Sequence, residues 1–346
     1  MIVMKTIGLY SLDTTELDSI CKQKRKTTVF VKLPEGFQQY TMEIKHWLEE
    51  SYEFIVILDA QANYGACDLP PESMLKNLEI ELLIQIGHLP IPSMNIQKRT
   101  IPIIFINAQS TLLVSEVIEK SIPKLTGSRI GLVTTAQHLH LIHEMKSLLE
   151  QKGLTVVIGK GDTRIFVPGQ VLGCNFSVAK SILNDIDSFL FVGTGFFHPL
   201  GLLLSTNKPV VVADPYLNKV IDSIDLFEKK QQLLRQRYGA ITFAKQAKTI
   251  AIIIGLKPGQ MRNEEAITLY KKVINSGKKC LLLASDAIHA SFSDRFSFVD
   301  VFVSTACPRI AIDDYISYKK PILTPFELLI ALQEKSWDDY TFDEIR

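Results

Sequence analysis

The chain has 346 residues, 47% hydrophobic and 22% charged, with a formal net charge of +1. That length suits two or three domains, and the composition is that of a soluble globular protein. The near-zero charge supplies no global field to draw in nucleic acid or an anionic membrane, and no apolar run reaches the roughly 18 residues of a membrane span.

Residues 1–26 read as an amphipathic segment with Leu9, Leu12, Leu17 and Ile20 on one side, ending in a basic run from Lys22 to Lys26. Lys5 and Asp13 interrupt any signal-peptide pattern, so a cytoplasmic location is expected. Four apolar, β-branched runs follow: Val29–Leu33, Phe54–Leu58, Leu82–Ile86 and Ile103–Ile106. Runs apolar throughout predict strands buried on both faces of a parallel sheet. The polar segments between them, such as Tyr40–Glu50 and Leu112–Ser121, have helix length. This β-α alternation predicts a doubly wound sheet.

The pattern then restarts with Ile130–Val133, Leu154–Ile158, Phe189–Val192 and Val210–Ala213. A charged helix over Lys219–Gln236 leads to a third set: Ile250–Ile254, Cys280–Leu283, Val301–Ser304 and Pro321–Leu323. Second strands begin 25, 24 and 30 residues after the first, and third strands 53, 59 and 51 residues after it. Such matched spacing predicts three copies of one Rossmann-like α/β unit around a pseudo-threefold axis, over residues 1–110, 111–216 and 217–346.

Five cysteines, an odd number without a CxxC pair, do not resemble a disulfide framework and suit a reducing compartment. Cys67 follows the second strand of its unit, Cys174 the second strand of the next, and Cys307 the third strand of the last. Ligands of parallel sheets bind beyond the carboxyl ends of the strands, so each cysteine lies on a functional edge. One buried cysteine is ordinarily a small hydrophobe; one per repeat points to convergence. Three thiolates suit a catalytic zinc with an open position, or a [4Fe–4S] cluster with one iron free of protein ligands. Cys21 and Cys280 fall outside this set and read as structural.

Val31-Lys32-Leu33-Pro34-Glu35-Gly36, Tyr64-Gly65-Ala66-Cys67-Asp68, Gly169-Gln170-Val171-Leu172-Gly173-Cys174-Asn175 and Cys307-Pro308-Arg309 with Ile312-Asp313-Asp314 together resemble a known family. It is the 2-(3-amino-3-carboxypropyl)histidine synthases of diphthamide biosynthesis, in their archaeal homodimeric form. The resemblance covers essentially the whole chain. It implies that Cys67, Cys174 and Cys307 hold a [4Fe–4S] cluster. It further implies S-adenosylmethionine as co-substrate, transfer of its 3-amino-3-carboxypropyl group to a histidine of translation elongation factor 2, and release of methylthioadenosine. A homodimer and an electron donor come with it, without direct nucleic-acid or membrane binding. The absence of CxxxCxxC agrees with a radical enzyme outside the ordinary pattern.

Gly193, Gly195 and His198 form a GxG turn after a strand, able to meet a carboxylate or ribose of S-adenosylmethionine or to serve only as a tight turn. His88 occupies the matching place in the first unit. Arg309 suits the methionyl carboxylate, or else a salt bridge to Asp313 or Asp314. Asp68 reads as a helix cap. His138, His140 and His143 read as a polar helix face. Lys257-Pro258-Gly259-Gln260 reads as a turn without the spacing of a phosphate loop. The rival readings are a quinolinate synthase-like [4Fe–4S] dehydratase and a non-catalytic three-domain binding protein.

Overall fold

The computed structural model describes residues 3–21, 27–61, 63–94 and 96–345. At the N-terminus, β1 (Met4–Ile7) and β2 (Tyr10–Asp13) form an antiparallel hairpin. A first parallel sheet is then built from β3 (Thr28–Lys32), β4 (Ile55–Leu58), β5 (Leu82–Ile86) and β6 (Ile103–Ile106), and β7 (Ala108–Ser110) returns to pair with β2. The second sheet contains β8 (Arg129–Thr134), β9 (Thr155–Val157), β10 (Ser188–Val192), β11 (Val210–Asp214) and the antiparallel edge strand β12 (Lys219–Ile221). The third contains β13 (Thr249–Gly255), β14 (Lys279–Ser285), β15 (Val301–Ser304) and β16 (Ile322–Leu323).

The strand orders are β4-β3-β5-β6, β9-β8-β10-β11-β12 and β14-β13-β15-β16. Numbered within its own unit, each sheet therefore runs second, first, third, fourth strand. The chain is a triplicated α/β protein, consistent with the expected pseudo-threefold arrangement. In each unit the chain departs in opposite directions after its first and third strands, which opens a crevice between their carboxyl ends. Every residue of β5, β10 and β11 is buried, the reason these runs are mostly apolar without alternation.

Two expectations need correction. Residues 3–21 are not one amphipathic segment but the β1–β2 hairpin followed by a helix over Thr15–Cys21. Gly8, at φ +53°, makes the turn and leaves Leu9 exposed at its tip, while Leu12 and Leu17 are fully buried. The basic run Lys22 to Lys26 lies outside the described residues. The long helix begins later and ends later than its charge pattern suggests, at Ser223–Gln246. Asp222 caps it, accepting from the N–H groups of Ile224 at 3.1 Å and Asp225 at 3.0 Å, and the residues just before are claimed by β12.

Inside the third unit, Arg237 of this helix forms a bidentate pair with the fully buried Glu327 at 2.7 and 2.6 Å. It also donates to the carbonyls of Ala311 and Ile322, both at 2.7 Å, and so ties the helix to the short helix Pro308–Ile312 and to β16. Among the described residues, no helix is long and apolar enough to cross a membrane.

Candidate functional site

The crevices of the three sheets open into one cavity of about 430 Å³ whose lining includes Cys67, Cys174 and Cys307. The loop after β3 brings Glu35 and Phe37 to its wall, that after β5 His88, that after β8 Gln137 and His138, and that after β10 Thr194 and His198. Cys307 and Arg309 arrive from the loop after β15. The three thiols are 6%, 8% and 8% exposed, and all are free.

Glycines set how closely these loops meet. A Cβ at Gly173 would stand 2.4 Å from the Phe197 ring and 3.5 Å from His198 Nε2, so this glycine lets the Cys174 turn press against the helix carrying His198. A Cβ at Gly259 would stand 2.5 Å from the Cβ of Cys67 and 2.7 Å from Met94 Sδ. There the third unit's turn lies directly on the first unit's cysteine: Gly259 N–H donates to the Cys67 carbonyl at 3.3 Å, and Gln260 Nε2 reaches Cys67 Sγ at 3.3 Å. The Cys174 turn is closed by the C-terminal segment. Ile345 N–H donates to the Cys174 carbonyl at 2.8 Å, and Glu344 accepts from Phe176 N–H at 3.1 Å.

Asp68 does not cap a helix. Its carboxylate is buried, 2.6 Å from Lys257 Nζ and 3.3 Å from Lys32 Nζ, and it accepts the Tyr64 N–H at 3.2 Å. Lys32 also pairs with Asp59. Two lysines and two aspartates thus form a balanced network joining the first and third units beside Cys67, the condition for burying charge at tolerable cost.

Burial pushes the Cys67 thiol up to about 12, with Cys174 adding to the rise. Burial raises Cys307 well above the ordinary thiol range, with further contributions from Cys67 and Cys174. Cys174 is likewise raised by burial, against the opposing pull of Arg164. Three buried thiols that disfavour one another's ionisation call for a cationic centre to hold them as thiolates. Among the described residues, no group of three His, Cys, Asp or Glu side chains is placed to hold a single metal ion. The donor set therefore suits a polynuclear cluster, which spans separated thiolates, better than one zinc ion.

His198 and Arg309 both line the cavity; Gly193 and Gly195 do not, although Thr194 between them does. Thr194 Oγ1 donates to Asp214 at 2.8 Å, and Gly195 turns the chain at φ +80°. Burial holds His198 down at about 4, with Arg309 adding to the effect, and its ring stacks on Phe191. His88 is likewise held near 4 by burial, so both imidazoles are neutral at pH 7. Arg309 donates to Asp313 at 3.2 Å and lies 3.6 Å from Glu35. Cys280 lies within β14, outside the cavity lining.

Sequence reasoning missed His138, Arg164 and Gln260. His138 is not on a polar face: it is 7% exposed and lines the cavity, with Nδ1 unpartnered. Asn63, also in the lining, has a buried Nδ2 without a partner, and Gln85, which donates to Asn63 Oδ1 at 3.2 Å, has its Oε1 buried without one. Orphaned polar atoms around a cavity mark where a polar ligand satisfies them. Helical spacing of three histidines carried no hint that the first turns inward.

A triplicated α/β protein with one buried cysteine per unit on a shared cavity is the class defined by this fold and site. The chain belongs to the diphthamide synthesis family: residues 33–341 match the family described as "Putative diphthamide synthesis protein". It is 36% identical to the 2-(3-amino-3-carboxypropyl)histidine synthase of Pyrococcus horikoshii, over 97% of this chain and 94% of that protein. It is 29% identical to the enzyme of the same name from Methanocaldococcus jannaschii, over 99% and 95% of the two chains. The crystal structure of Dph2 from Pyrococcus horikoshii with a 4Fe-4S cluster superposes with a TM-score of 0.83, at 34% identity, covering 99% of this chain and 95% of that one.

Proposed function

We propose that this protein transfers the 3-amino-3-carboxypropyl group of S-adenosylmethionine to a histidine imidazole carbon of translation elongation factor 2, the first step of diphthamide biosynthesis. The observation that carries the reading is one buried thiol from each of three sheets on a single cavity. Cys67, Cys174 and Cys307 would hold a [4Fe–4S] cluster, three thiol ligands leaving one iron without a protein ligand. When bound, the cluster supplies the electron that breaks the bond from the sulfonium sulfur to the γ-carbon, with methylthioadenosine as by-product.

The protein's own part is to bind, orient and exclude water. Arg309 presents a planar cation to the methionyl carboxylate, and its present partners Asp313 and Glu35 sit at the rim, where exchange is easy. Neutral His88, His138 and His198 offer hydrogen bonds without adding charge beside a sulfonium. Gly193 and Gly195 shape the turn that places Thr194 at the wall. We keep domain limits at 1–110, 111–216 and 217–346, with β12 (Lys219–Ile221) still pairing on the edge of the second sheet and the C-terminal segment returning to the middle unit. Homodimerisation, an electron donor and a cytoplasmic setting complete the reading.

The test is anaerobic purification, iron and sulfide analysis, then dithionite with S-adenosylmethionine. A brown protein that releases methylthioadenosine, and loses colour and product in Cys67→Ala, Cys174→Ala and Cys307→Ala, supports the reading. Elongation factor 2 then tests the acceptor. Absence of iron after reconstitution, or iron retained in all three variants, refutes it.

A further inference from the structure

Arg164 lies between β9 and the Cys174 turn and is only 5% exposed. Its Nη2 donates to the Gly259 carbonyl at 3.2 Å, across from the middle unit to the third. Its Nε is shielded from solvent and has no hydrogen-bond partner. Among the described residues, no carboxylate stands within ion-pair distance of this guanidinium. The nearby acids are engaged elsewhere: Asp162 takes the Asn175 amide at 2.8 Å and the backbone N–H of Arg164 at 2.9 Å, and Asp343 pairs with Arg262 at 2.7 Å.

A guanidinium cannot shed its proton in a protein, so burial leaves a full positive charge in a poorly polarisable setting. Such a charge persists where an anion meets it. The geometry around Arg164 leads to a thiol: Gly259, whose carbonyl takes Arg164 Nη2, donates to the Cys67 carbonyl at 3.3 Å, and the adjoining Gln260 reaches Cys67 Sγ at 3.3 Å. Arg164 also precedes Cys174 on the loop after β9, and its charge works against the effect of burial at both thiols. It takes no place in the lining of the cysteine cavity. Instead it lines a second cavity, of about 450 Å³, together with Gly259 and Arg262. Arg164 therefore approaches the thiols from behind, away from the space where a substrate would lie.

We infer that Arg164 is the countercharge of the three-thiolate cluster and sets the potential at which it accepts an electron. The inference rests on the cluster reading and goes past it. Reduction adds one electron, forms and breaks no bond, and leaves the cluster with its thiolates one unit more negative. A fixed positive charge buried beside the loops that carry two of the ligating sulfurs favours that reduced form. Hydrogen bonds to cluster sulfurs act in the same direction, and Gln260 supplies a neutral one at Cys67. Arg164 is a positioning residue that acts through the sulfurs.

The experiment compares wild type, Arg164→Lys and Arg164→Gln after anaerobic reconstitution. Iron and sulfide are counted, and the reduction midpoint is read by electron paramagnetic resonance during a mediated dithionite titration. Arg164→Lys keeps the reduction equilibrium within about threefold of wild type. Arg164→Gln shifts it at least tenfold toward the oxidised form, which is about 59 mV lower for one electron. A folded Arg164→Gln protein that retains no iron, while Arg164→Lys retains it, also supports the role. Equal midpoints in all three proteins, or equal shifts in both variants, would overturn it. Should Arg164→Gln fail to fold, a tenfold shift in Arg164→Lys alone would overturn it. A wild type without iron sinks the cluster reading itself, whereas a wild-type cluster with an unmoved potential in the variants sinks only the role of Arg164.

Discussion

Replacing Gly259 with alanine tests whether the contact between the first and third units places Cys67. The new Cβ would stand 2.5 Å from the Cys67 Cβ, 2.6 Å from its Cα and 2.7 Å from Met94 Sδ, where ordinary contact begins near 3.4 Å. Two of the three obstacles are atoms next to or in the Cys67 backbone, so the loops must part by about 1 Å. Overpacking of this kind costs about 1–3 kcal/mol. Parting also weakens the Gly259 hydrogen bond to Cys67 and that from Arg164 to Gly259, each worth about 1 kcal/mol. A total near 3 kcal/mol lowers the melting temperature of the iron-free protein by about 4 °C if the chain unfolds as one unit. The larger effect falls on iron: a thiol displaced by about 1 Å meets its site poorly, and the reconstituted variant retains well under half the wild-type complement. Gly239→Ala is the control, since nothing lies within 4 Å of its Cβ on an exposed helical turn; it leaves iron unchanged and stabilises by up to about 1 kcal/mol. Full iron with an unaltered visible spectrum in Gly259→Ala would refute the reasoning.

Two further outcomes are expected. Arg237→Met leaves Glu327 buried without its cation and destabilises the third unit by about 3–5 kcal/mol, read as a lower urea midpoint at unchanged slope; adding Glu327→Leu recovers part of the loss. Burial holds His138 near 4, with His140 contributing, whereas an unfolded histidine titrates near 6.5. The unfolded chain therefore binds the extra proton as pH falls from 6.5 to 4, and up to about 3 kcal/mol of stability is lost across that window. His138→Gln removes that part of the pH dependence in iron-free protein; an unchanged acid profile would show that the imidazole stays solvated.

Sheets and thiols were legible in the sequence for the same reason. Strands buried on both faces are apolar at nearly every position, so Phe189–Val192 and Leu82–Ile86, the latter interrupted only by Gln85, stand out without any alternation to decode. The order of these runs alone places each cysteine at a carboxyl edge. What stayed hidden depends on contacts between residues far apart in sequence. Lys257-Pro258-Gly259-Gln260 was recognisable as a turn, but nothing local shows that it rests on Cys67, nearly two hundred positions away. Arg164 reads as one more charged loop residue until Gly259 and Cys174 are brought beside it. Asp68 resembles a cap because its partner Lys257 belongs to another unit. The N-terminal hairpin was hidden because β2 pairs with β7, which lies beyond the whole first sheet.

The closure of the Cys174 turn by Ile345 has a consequence for the order of events in the cell. A ribosome delivers Cys67 early, Cys174 midway and Cys307 late, and the segment that seats the middle thiol emerges later still. Iron offered to a growing chain would find at most two cysteines, with one of them on an open turn. On the proposed reading, loading waits until Ile345 has docked on the Cys174 turn. Cutting the chain before Glu344 should give a protein that makes all three cysteines yet takes up iron poorly.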